Sequence, residues 1–139
     1  MEMTNRMYLP PLAELLDRLT IAQIKLNLLD EGQADFENEI NSLKHDVELL
    51  MQNLGISPGG EFVHLVVVLA QINLHIWHNK DLMQVNLDDD GKYLALLKLS
   101  HQLNGIRNRI KNRFLEIEGI SDKSHVRSNV ETDGLPWSL

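Results

Sequence analysis

Residues 61–83 read EFVHLVVVLAQINLHIWHNKDLM, and whether they form a strand or a helix decides the fold. The run Val66, Val67, Val68 favours a sheet, since β-branched side chains suit a pleated surface. The longer pattern outweighs it. Phe62, Leu65, Val66, Leu69, Ile72, Ile76 and Met83 keep a helical period over six turns, so the segment is expected to be a helix over about 61–82.

The flanking sequence agrees. Pro10 and Pro11 suit a helix start, and Leu12, Leu15, Leu16, Leu19, Ala22 and Leu26 follow at helical spacing until Asp30, Glu31 and Gly32 end the first segment. In the second, Phe36, Ile40, Leu43, Val47, Leu50 and Leu54 step by four and three, and Gly55 stands where a C-terminal cap belongs. Ser57 to Gly60 reads as a loop between halves. Residues 86–91, with three aspartates, read as a turn and an N-cap region. The last helix, about 91–118, carries Leu96, Leu99, Leu103, Ile106 and Ile110.

The expectation is therefore an all-α, up-down antiparallel four-helix bundle, with two packed helical hairpins as the variant form. The bundle domain covers 1–118, and a polar C-terminal tail expected to be mobile covers 119–139. An AQI-x-L echo at Ala22 and Ala70 raises a duplicated hairpin. Its phase-matched pairs are Gln23 with Asn73, Asn27 with Trp77 and Glu31 with Asp81.

A chain of 139 residues buries a real core without staples. It has no cysteine, which excludes disulfides and thiolate metal sites and fits a cytoplasmic compartment. The first residues lack the layout of a secretory signal. The longest uninterrupted apolar runs, such as 65–70, are too short for a membrane span. A net charge of −7 argues against general nucleic-acid binding and makes an acidic, soluble surface the expectation.

Several polar residues interrupt the apolar faces. Asn73 projects into the middle of the third helix's apolar face, with Trp77 and Asp81 following at four-residue steps. His64, Gln71, His75 and His78 fall on the outward side. The fourth helix has HQLNGIRNRIKNR at 101–113. There Arg107 and Lys111 adjoin the apolar stripe, and Asn104 lies within reach of Arg107 and Asn108. An arginine beside the core needs a carboxylate partner, for which Asp17 and Asp81 are the candidates. The first helix adds Asp17, Thr20, Gln23 and Asn27.

These seams admit two readings. A lone buried amide commonly specifies helix register, with Trp77 packed beside it. Alternatively the seams meet in a cleft: Asn73, Trp77, Asn104, Arg107, Asn108, Lys111, Asp17 and Gln23 would bind a polar compound, and Asp81 with His78 would act as acid or base. A dimetal carboxylate bundle needs Glu-x-x-His on two helices and the chain has it once, at Glu61 and His64, so such a site is not expected, and no metal or other cofactor is called for. The chain also carries no P-loop or dinucleotide fingerprint.

The segments NLHIWHNKD (Asn73, Trp77, His78, Asp81) and LNGIRN (Leu103, Asn104, Arg107, Asn108) resemble a bacterial family of small helical proteins of unknown function. That family carries N-x-x-x-W-H-x-x-[DE] followed by L-N-x-x-R-N. LDRLTIAQIKLNLLDE, with Asp17 and Arg18, looks like a related helical segment. Together these cover about half the chain. Family members often continue with an arginine soon after the acidic residue, where this chain has Gln84. The resemblance implies that the polar residues form one constellation, and a circumstantial link to surface-glycan biosynthesis, but no reaction.

Function divides accordingly. One expectation is a non-catalytic bundle that self-associates, as a homodimer, or binds a partner protein. It rests on the apolar positions of the third helix beyond a single stripe. The other is a small-ligand binder or enzyme acting on a polar, phosphorylated or nucleotide-linked compound.

Overall fold

The computed structural model describes residues 9–119, so the C-terminal tail lies outside the described residues. The fold is all-α, with four helices: α1 (Leu12–Leu28), α2 (Gln33–Leu54), α3 (Gly60–Val85) and α4 (Asp90–Glu118). The valine run is helical throughout, because its neighbours supply a core-facing stripe that a strand period would split between two faces.

The helix ends follow their local chemistry. Asp89 precedes α4, and its carboxylate accepts from the Lys92 N–H at 3.0 Å. Gly55 ends α2 at φ 67°, a left-handed cap that glycine adopts without a Cβ clash. Gln33, in the first turn of α2, donates to the Leu26 carbonyl at 3.4 Å and to that of Leu29. One side chain thereby satisfies two acceptors that the end of α1 leaves open.

The helices pair as α1 with α2 and α3 with α4, and α1 also packs on both α3 and α4. Three helices thus enclose the main core, and α2 lies principally along α1. Leu12, Leu16, Leu65, Leu69, Ile72, Leu103, Ile106, Ile110 and Phe114 fill that core. Phe62 and Phe114 meet edge-on at 5.5 Å where α3 begins and α4 ends. A second cluster, Leu15, Ala22 and Leu43, joins α1 to α2.

By length and composition, α3 is the one described helix that could cross a bilayer. The uninterrupted-run criterion overlooks it, because asparagine, glutamine and histidine break the runs without adding charge. Core helices of soluble proteins share this property.

Candidate functional site

Helices α1, α3 and α4 bring one group of polar side chains together. Asp17, on the second turn of α1, is 2% exposed. Its Oδ1 accepts from Asn73 Nδ2 of α3 and from Arg107 Nε of α4, each at 2.9 Å. Its Oδ2 accepts from Arg107 Nη2, which completes a bidentate pair. Asn73 spends its other N–H on Thr20 Oγ1 at 2.8 Å, and the Thr20 hydroxyl donates to the Asp17 carbonyl at 2.8 Å. One turn further along α4, Lys111 pairs with Glu14 and lies 3.9 Å from Asp17 Oδ2.

The result is two carboxylates against two cations across the α1–α4 seam, with an amide from α3 between them. Burial pushes the Asp17 carboxyl up. The hydrogen bonds and charge of Arg107, with Asn73 and Lys111, outweigh that and hold it below the ordinary aspartate value. The Asp17 hydrogen bond raises Arg107, against the opposing effect of its burial. Asp17 therefore stays ionised and Arg107 stays charged.

The expected constellation divides on this geometry. Asp17, Asn73, Arg107 and Lys111 meet, and of the two candidate partners for Arg107 it is Asp17 that binds it. Gln23 and Asn27 are exposed and hydrogen-bonded to each other, so Gln23 does not share the buried setting of Asn73 that the duplicated-hairpin pairing gives it. Asn104 donates to the Ser100 carbonyl one turn back on its own helix, and Asn108 is half-buried. Trp77 is half-buried, and Asp81 and His78 are exposed. Successive four-residue steps rotate by about 40°, so the row that begins at buried Asn73 reaches solvent by Asp81. The expectation that Asp81 points into the bundle is corrected on that ground.

Three partners are absent from the expected set. Asn79 is buried and donates to the Leu96 carbonyl at 2.9 Å and to Met83 Sδ at 3.8 Å. Its signal is present in the sequence, since it fills the position between Ile76 and Met83 on the core stripe. Glu14 reads as an ordinary first-turn acid until α4 is laid beside it. Glu118 accepts from the Ala13 N–H at 3.1 Å, so the end of α4 caps the start of α1, a contact that only the fold creates.

Chemically, the network is a closed circuit. A ligand would reach the Asp17 carboxylate only by displacing Arg107. Two surface depressions lie away from the network, one between Leu9, Leu15, Leu49 and Asn53, another over Leu94, Leu97 and His101. Among the described residues no three His, Asp or Glu side chains gather as a metal ion would need. Compared with protein-family models, curated proteins and solved structures, the chain matches none of them.

Proposed function

We propose that this chain is a non-catalytic helical bundle that works by self-association, with the outward face of α3 as the contact surface. One observation carries the reading. Val63, Val67 and Leu74 are 51%, 56% and 39% exposed and, with the exposed Ala70, recur at steps of four, three and four along α3. That is the spacing of a helix-packing seam, on a helix whose opposite face already fills the core. Leu82 and Val85 extend the exposed apolar surface toward its end.

The ligand-binding alternative has less behind it. Arg107 and Lys111, the cations it needs for an anion, are matched by Asp17 and Glu14. The resemblance to the glycan-linked family supplies no reaction that would restore it.

Light scattering during size-exclusion chromatography tests the proposal. The wild-type chain is expected to elute at a multiple of its 15.9 kDa mass. Val67→Glu, which puts a charge on the seam but not in the core, is expected to return it to a monomer with unchanged helicity. A wild-type monomer at every concentration overturns the proposal.

A further inference from the structure

The geometry points to a second copy of this chain as the occupant of α3's outer face, docked with its own α3 antiparallel. This inference rests on the self-association reading and adds the partner's orientation and register.

The seam is free of charge. From Phe62 to Asn79, α3 contains no aspartate, glutamate, lysine or arginine. An acidic cluster lies at its C-terminal end. Residues 80–92 carry Asp81, Asp88, Asp89 and Asp90 against Lys80 and Lys92. Cations of α4 are matched within the chain: Arg113 by Glu61 at the start of α3, Lys111 by Glu14 and Arg107 by Asp17.

A parallel pair would bring two acidic α3–α4 turns together. An antiparallel pair puts the two acidic turns at opposite ends of the contact. It separates the two turns by more than the length of α3, about 39 Å, against a screening length of about 8 Å in physiological salt. It also opposes the two helix dipoles.

The spacing then selects a register. In antiparallel helix pairs, positions related by the four-step face those related by the three-step. Val63 thus falls opposite Leu74 of the second copy, and Val67 opposite its Ala70, so every exposed aliphatic of the seam is covered. The same register brings Trp77 over Gly60 of the second copy. Beyond its chain neighbours and the backbone of its own helix, Gly60 has no atom within 4 Å of where a Cβ would stand, which leaves room for an indole.

Because the chain has no cysteine, engineered thiols report the register directly. Val63→Cys and Leu74→Cys are prepared separately in the full chain, mixed, and oxidised. The expected product is a disulfide-linked dimer containing one chain of each kind, at several-fold higher yield than from either variant alone. Alone, each thiol would face its own counterpart about 16 Å away along the helix. Efficient linkage of Val63→Cys to itself, in a chain that light scattering shows to be dimeric, overturns the antiparallel register and leaves the self-association reading intact. A chain that is monomeric by light scattering removes both. Flotation of that monomer with phosphatidylcholine vesicles would assign the face to a bilayer instead.

Discussion

Asp17 enters the core as an anion, and its two oxygens are saturated by donors from two other helices. Removing one member of such a pair strands the other, so Asp17→Asn is expected to lower unfolding free energy by about 3–5 kcal/mol in urea titrations at neutral pH. The pH dependence follows from the direction of the shift. The folded-state value lies below that of the unfolded chain, so Asp17 stabilises the fold fully above about pH 4 and progressively less as pH falls toward its folded value. The gap between wild type and Asp17→Asn should therefore narrow in acid. Replacing both partners together, with Asp17→Leu and Arg107→Met, is expected to recover much of the loss, because no uncompensated charge remains. The participation of Asp17, Asn73 and Arg107 is legible in the sequence because each interrupts an apolar stripe. That of Glu14 and Glu118 is not, since their roles depend on which helix end lies beside them.

All four helices can be read from periodicity, and their ends from Pro11, Gly55 and Asp89, because capping is local chemistry. Asp89→Ala is expected to cost about 1 kcal/mol by removing the N-cap acceptor of α4, measurable as a lowered Tm in circular dichroism. What periodicity does not supply is the arrangement. The α2 stripe of Ile40, Leu43, Val47 and Leu50 is no less regular than that of α4, yet of these only Leu43 is buried. An apolar stripe specifies that a helix packs, whereas which neighbour it meets depends on how the hairpins cross.

Because α2 leans principally on α1, its attachment is expected to be the weakest in the molecule. Hydrogen exchange should find α2 amides exchanging at least tenfold faster than those of α3 and α4 around Ile72 and Ile106. Equal protection in all four helices would show that α2 opens only with the whole domain. The outward face of α3 behaves differently: Val67→Glu should change mass and abolish the concentration dependence of the urea midpoint that association gives the wild type.

The Asp17–Arg107 pair spans 90 residues, and the Ala13–Glu118 cap spans 105. Both join the first helix to the last, so neither forms until most of the bundle has been ordered. The α3–α4 hairpin needs only local contacts and can assemble first, whereas docking α1 must overcome the entropy of closing the longest loop. The ion pair then belongs to the late side of the folding barrier. Stopped-flow measurements on Arg107→Met should show unfolding accelerated and refolding nearly unchanged. In that sense the buried circuit acts as a latch, setting how long the folded chain survives rather than how fast it forms.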